Sequence, residues 1–137
     1  MEKYEIDVVS FGDGLYNQSV ISSLTGLDFD ESDKAVKEVK RLHWSGQTYV
    51  QVFRKLGFNT NPRFIKFDTE STYPCIMRCI NDRKGVWYLF MYHQGMVYDI
   101  HGNSFHITDT NEVSKINGSY FLKFYGMKVT SMLQVWI

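Results

Sequence analysis

The chain has 137 residues, of which 44% are apolar, 16% aromatic and 22% charged. This composition is typical of one globular domain with a sizeable core, and it excludes a disordered chain. Lysine and arginine together equal aspartate and glutamate, so the formal net charge is zero. A general nucleic-acid binder and a polyacidic mimic of DNA are therefore both disfavoured.

The beginning of the chain, "MEKYEIDVVSF", is charged and lacks an apolar run of signal-peptide length. No stretch of about 18 consecutive apolar residues occurs either, so we expect a cytoplasmic protein without membrane association. Cys75 and Cys79 are spaced too widely for a thioredoxin-type motif. They share a face of a predicted strand, where about 13 Å of extended chain separates them, and we expect buried, reduced thiols.

Three helices are predicted in the first part of the chain, over residues 17–24, 31–42 and 47–56. Gly26 and Gly57 follow the first and the third helix as C-terminal stops. In the second helix, Ala35, Val36 and Val39 lie on one face and the lysines lie on the other.

The hydrophobic period changes from helical to alternating at about Arg63. Apolar runs bounded by turn residues then predict five or six mainly antiparallel strands: "RFIKF", "PCIMRCI", "GVWYLFMY", "GMVYDI" and "SYFLKFYGMKVTSMLQVWI". The short "HQG" predicts a hairpin, and "WYLFMY", apolar on both faces, is expected at the centre of the sheet. The fold class is α+β, in a single domain over residues 1–137, with N-terminal helices packed on the sheet.

Three stretches resemble the papain-like fold in its small bacteriocin-processing-peptidase-like form, which includes short phage-encoded members. "YNQSVISSLTGLDFDES" is similar to the helix that begins with the nucleophilic cysteine of that family. "HWSGQTYVQVFRKLGF" is similar to the next helix, and "GVWYLFMYHQGMVYDIHG" resembles the hairpin that carries the catalytic histidine and its orienting acid. The resemblance covers about Asp13 to Gly102 and implies a papain-like architecture.

Matched residue by residue, the resemblance places Tyr16 at the nucleophile position, Trp87 or Tyr88 at the histidine position, and Asp99 at the position of the orienting acid. A thiol nucleophile needs an ionisable sulfur and a base within hydrogen-bond reach, which a phenol and an indole do not supply. The resemblance thus implies a degenerate site without catalytic residues. It also predicts that Tyr16, Trp87 and Asp99 lie close together in a groove beside the first helix.

Other chemistry in the chain has competing interpretations. A relocated cysteine peptidase or amidase site could use Cys75, Asp99 and one of His93, His101 or His106, whereas buried thiols and surface histidines explain the same residues without chemistry. The same histidines with Asp99 form a ligand set that zinc accepts, but they are spread over a strand and its two flanking turns. "FGDG" before the first helix matches no phosphate-binding motif and is interpreted as a turn.

Aromatic residues exceed what a core of this size needs. Tyrosine and tryptophan are enriched where proteins dock on one another, and the candidate binding residues are Tyr16, Trp44, Trp87, Tyr92 and Tyr98. We therefore expect a protein-binding module that requires no cofactor and no metal, with a host protein as partner and a role as phage-encoded inhibitor or modulator. The alternative is a cysteine peptidase or amidase with relocated residues Cys75, His93 and Asp99.

Overall fold

A computed structural model describes residues 6–12, 15–39, 45–81 and 83–137. Within these residues the chain forms three helices, α1 (Tyr16–Thr25), α2 (Phe29–Val39) and α3 (Gly46–Lys55). The predicted helices are confirmed to within two residues at each described end. The predicted end of the second helix, residues 40–42, lies outside the described residues. Gly26 ends α1 in the left-handed conformation, with φ of 75°.

The sheet has more strands than the five or six predicted. Nine strands occur in the described part of the chain: β1 (Asn59–Thr60), β2 (Ile65–Lys66), β3 (Cys75–Asn81), β4 (Val86–His93), β5 (Met96–Tyr98), β6 (Ser104–His106), β7 (Val113–Ile116), β8 (Ser119–Leu122) and β9 (Met127–Trp136). The predicted class, α+β with an antiparallel sheet, is confirmed. The strand count was wrong because the additional strands have only two to four residues, which is too short for a clear alternation of apolar and polar residues.

The strands follow one another in the order β6-β5-β4-β3-β9-β8-β7, and β1 and β2 also pair with β9. Every described pairing is antiparallel. β3 therefore occupies the middle of the sheet, with β4 and β9 as its neighbours. The chain reaches β3 only after all three helices, so helices and strands are segregated as in other α+β domains.

Two-residue turns close two of the hairpins. Gln94 and Gly95 connect β4 to β5 with φ angles of 50° and 86°, which confirms the hairpin predicted from "HQG". Glycine suits position 95 for two reasons: its φ angle is positive, and a Cβ atom there would lie 2.5 Å from Nε2 of His106 unless that side chain moved. Asn117 and Gly118 connect β7 to β8 with φ angles of 51° and 79°, the geometry for which asparagine–glycine pairs are favoured.

The sheet has an apolar cluster on each face. On one face Ile76, Met91 and Leu133 pack against helix residues such as Val20 and Phe53. On the other face the sheet curls around a second cluster, which includes Cys75, Cys79, Met77, Leu122 and Met132. Both cysteines are unpaired and fully buried, as the sequence predicts. In the described part of the chain, no helix has the length and apolarity that crossing a membrane would require.

Candidate functional site

Tyr16 is the first residue of α1, and its side chain connects that helix to β4. The hydroxyl accepts a hydrogen bond from the backbone N–H of Leu89 at 2.9 Å and donates one to the carbonyl oxygen of the same residue. Burial is the largest influence on this phenol and raises its pKa well above the ordinary value of 10.0. Tyr16 is therefore a neutral structural group and not a source of a nucleophile or a base.

The position of this contact along β4 follows from the hydrogen-bonding pattern of the sheet. In an antiparallel strand, successive residues direct their backbone groups to alternate sides. β5 pairs with β4 from Met91 to His93, so Leu89, two residues before Met91, directs its N–H and carbonyl to the same side as Met91. Tyr16 thus supplies hydrogen-bonding partners to β4 just where β5 has ended.

A cavity of about 470 Å³ lies on one side of Tyr16, between the helices and the sheet. We call it the Arg78 cavity. Its described lining comprises Tyr16, Asn17, Ser45, Gly46, Tyr49, Phe64, Arg78, Trp87 and Leu89. Five of these side chains are aromatic or aliphatic, and Arg78 is the one charged group among the described lining residues. The hydroxyl of Tyr49 donates a hydrogen bond to Oδ1 of Asn17, which fixes the wall formed by α1 and α3.

The guanidinium of Arg78 lies against two aromatic rings. Its Cζ atom is 4.7 Å from the ring centroid of Phe64 and 5.0 Å from that of Trp87, distances at which cation–π attraction operates. Its Nε donates to Oγ of Ser131 at 3.0 Å. Partial burial lowers the pKa of Arg78. No described carboxylate lies within 4.0 Å of the guanidinium to offset that burial, so the described lining of the cavity leaves this cation unneutralised.

The start of β4 is exposed, and Trp87 lines this cavity while Val86 and Tyr88 project from the opposite face of the strand. Val86, Trp87 and Tyr88 expose 38, 51 and 46% of their surfaces, whereas the strand is buried from Phe90 to His93. The first two residues of "WYLFMY" are therefore exposed, although the run is apolar on both faces. β4 lies between β5 and β3, one strand from the middle of the sheet where this run was expected.

A second cavity, of about 310 Å³, lies on the other side of Tyr16. We call it the Asp99 cavity. It is mostly apolar, and its described lining comprises Gly12, Tyr16, Tyr88, Leu89, Phe90, Asp99, Ile100, His101 and Tyr125. Asp99 follows directly after β5, which places its carboxylate beside the beginning of α1.

The carboxylate of Asp99 is occupied by hydrogen bonds within its own turn and to the β8–β9 connection. Oδ1 accepts from the backbone N–H groups of His101 at 2.9 Å and Asn103 at 2.8 Å. Oδ2 accepts from Nδ2 of Asn103 at 2.9 Å and from the hydroxyl of Tyr125 at 2.7 Å. Burial opposes ionisation, but these four hydrogen bonds outweigh it and lower the pKa of Asp99.

Tyr16 contributes to both cavities, and the structure brings it close to each of the other two matched residues. Trp87 lines the Arg78 cavity and Asp99 lines the Asp99 cavity. The predicted groove beside α1 is therefore divided into two cavities by the Tyr16 side chain. Trp87 and Asp99 do not line a common cavity. His101 is the histidine nearest to Asp99 along the chain, and it donates its backbone N–H to the Asp99 carboxylate.

The other predicted binding residues differ in accessibility. Tyr92 is buried within the cluster on the face of the sheet opposite the helices, and its hydroxyl donates to the carbonyl of Thr69 at 2.9 Å. The Tyr92 side chain therefore exposes almost no surface in this structure. Tyr98 is half-buried and packs against the cluster beneath the helices. Trp44 lies outside the described residues.

The alternative triad of Cys75, His93 and Asp99 is not assembled. Cys75 lies in the cluster on the curled face, while His93 shares the parity of Met91 and so belongs to the helix face. Burial also raises the pKa of the Cys75 thiol far above its ordinary value, so a thiolate is disfavoured at neutral pH. Among the described residues, no three histidine, cysteine, aspartate or glutamate side chains are grouped so that they could hold a metal ion.

Sequence reasoning missed Arg78 and Phe64. A signal for Arg78 was present, because it is the one charged residue within the otherwise apolar run "PCIMRCI" and a charge in a central strand needs an explanation. Phe64 precedes the two-residue strand β2, and nothing in its local pattern distinguishes it from a core residue. Neither a protein-family model nor a curated protein sequence matches this chain.

Proposed function

We propose that this chain is a catalytically inactive papain-like domain that binds another protein and acts as a phage-encoded inhibitor or modulator of a host protein. The papain-like relationship and the phage origin rest on the sequence resemblance. The binding role is supported by the exposed Trp87 side chain and the Arg78 cavity that it lines. Partner recognition takes place at the start of β4 and in the adjoining Arg78 cavity.

The observation that carries the proposal is the exposure of half of the Trp87 side chain at the Arg78 cavity, which Trp87 lines. Val86 and Tyr88 are also exposed but project from the opposite face of the strand. An exposed large apolar side chain beside a cavity is common at interaction sites. Tryptophan and tyrosine also contribute more binding free energy than other residues in protein interfaces. Trp87 is the strongest candidate because its ring both reaches solvent and lines the cavity.

The chemistry near Tyr16 supports binding over catalysis. The residue at the matched nucleophile position is a half-buried phenol that is hydrogen-bonded to Leu89, and no cysteine lines either cavity among the described residues. The carboxylate of Asp99 has its hydrogen bonds within the domain. These groups stabilise the fold and leave no activated nucleophile for peptide hydrolysis.

Affinity capture with matched variants tests this function. Wild-type protein, a Trp87→Ala variant and a Phe124→Ala variant are immobilised and exposed to lysate of the host cell. Phe124 is a suitable control because it is 81% exposed and does not line the Arg78 cavity. Its ring contacts Tyr125 on the β8–β9 turn, so it tests whether the loss of any exposed aromatic ring is enough to abolish capture. We expect a protein that is retained by the wild type and by Phe124→Ala and is lost with Trp87→Ala.

The captured protein is then purified and its affinity measured. Loss of an interface tryptophan should weaken binding by roughly thirtyfold or more, since such residues contribute about 2 kcal/mol or more. Equal retention by all three forms would refute this binding surface. Hydrolysis of a peptide substrate by the wild type that is abolished by Cys75→Ala would favour the cysteine peptidase instead.

A further inference from the structure

We infer that the Arg78 cavity binds a carboxylate of the partner protein, and that Arg78 is the residue that anchors it. Because it specifies the chemistry of the partner, this inference rests on the proposed function. The partner segment presents an aspartate, a glutamate or a C-terminal carboxylate to the cavity and apolar groups to the rim at Trp87.

Arg78 has N–H donors for which the described residues supply no acceptor. Its Nε is bonded to Ser131, and no described residue accepts a hydrogen bond from Nη1 or Nη2. An arginine presents its N–H groups in a planar fork that matches the two oxygens of a carboxylate. The guanidinium is half-buried, so an ion pair formed there would be less screened by solvent and salt than a pair on the open surface.

The side chain of Arg78 is held in place before any ligand arrives. The rings of Phe64 and Trp87 contact the guanidinium, and Ser131 fixes its Nε. The register of β3 and β9 also shifts at Arg78, where the hydroxyl of Thr130 on β9 donates to the Arg78 carbonyl at 3.0 Å. The extra residue of this bulge is Thr130, and its hydrogen bond holds the backbone of Arg78. A preorganised anchor loses less entropy on binding.

The charge of the Arg78 cavity is complementary to that of a carboxylate. The cavity walls contributed by the described parts of α1, α3 and β4 contain tyrosine, asparagine, serine, tryptophan and leucine side chains but no acidic group. A neutral or cationic ligand would leave the Arg78 charge partly desolvated and unpaired, which is unfavourable. A carboxylate would neutralise it while the aromatic walls cover the aliphatic part of the ligand.

A library of short random peptides, displayed and selected on the immobilised protein with counter-selection on Trp87→Ala, provides the probe. We expect the enriched peptides to share an acidic residue. Replacing that residue with its amide in synthetic peptides should weaken binding about tenfold to a hundredfold, the range for a hydrogen-bonded ion pair. Arg78→Gln should cause a similar loss, and amidated peptides should then lose little more, because both changes remove the same contact.

Two further variants complete the experiment. Arg83→Gln removes an exposed arginine on the β3–β4 turn, outside the Arg78 cavity, and should leave affinity unchanged. Arg78→Lys keeps the charge but loses the fork, so it should bind more weakly than wild type and serves if Arg78→Gln does not fold. Peptides that depend on Trp87 but bind equally well as amides would overturn the carboxylate inference and leave the proposed function standing. Failure to enrich any Trp87-dependent peptide would count against both.

Discussion

Replacing Tyr16 with phenylalanine should destabilise the domain through the loss of two hydrogen bonds at once. The ring remains in place, but the N–H and carbonyl of Leu89 lose the partners described above. Each hydrogen bond contributes about 0.5–1.5 kcal/mol net, so the loss lies between about 1 and 3 kcal/mol. Cavities on both sides of Tyr16 admit water to Leu89, which favours the lower part of this range, about 1–2 kcal/mol.

Urea denaturation at pH 7 measures this difference, and the melting temperature should fall by roughly 3 to 10 °C. Amide hydrogen exchange at Leu89 should become faster in the variant. Tyr88→Phe is the matched control, because the hydroxyl of this exposed residue has no hydrogen bond to a described residue and its removal should change stability by less than about 0.5 kcal/mol. Unchanged stability together with unchanged protection of Leu89 would refute the structural role assigned to Tyr16.

Two further outcomes follow from the buried polar and thiol groups. Asp99→Asn should reduce the free energy of unfolding at pH 7 by about 1.5–3 kcal/mol, because a neutral amide replaces the charged carboxylate that accepts four hydrogen bonds. The folded-state pKa of Asp99 lies below the usual 3.8, so the stabilisation by its carboxylate is complete above pH 3.8 and disappears as the pH falls through the folded-state pKa. The unfolding free energies of wild type and Asp99→Asn should therefore converge on acid titration. Parallel curves would contradict the role assigned to these hydrogen bonds. Burial raises the pKa of Cys75 and Cys79. A thiol reagent should therefore label the native protein at least about a hundredfold more slowly than the unfolded protein. Rapid labelling of Cys75 in the native protein would contradict this expectation.

The helices and the longest strands could be predicted from the sequence because their patterns are long. α1 and α3 are followed by glycines that stop them, and β3 and β4 are mostly apolar runs, with Arg78 as the charged exception in β3. The hairpin of β7 and β8 was missed although its turn is Asn117–Gly118, the strongest short hairpin signal. Its strands have four residues each, and Lys115 and Ser119 interrupt the apolar pattern that would have marked them.

The candidate site was predicted in part. The proximity of Tyr16 to β4 and to Asp99 could be expected from the family resemblance alone, because no local pattern relates residues so far apart in the chain. The division of the groove depends on the exact reach of the Tyr16 hydroxyl to Leu89, which no sequence pattern encodes. The same holds for Arg78, whose contacts with Phe64 and Trp87 come from three separate segments.

The hydrogen bonds between Tyr16 and Leu89 also bear on how chains of this protein behave toward one another. Unpaired backbone groups along a strand edge act as a template for strands of other molecules and so promote aggregation. With the Leu89 groups occupied by a side chain, the open edge of β4 is confined to Val86–Tyr88, which is too short to hold an added strand securely. A partner at this surface must therefore recognise side chains, and the aromatic surface can remain exposed without recruiting further copies through β-sheet extension.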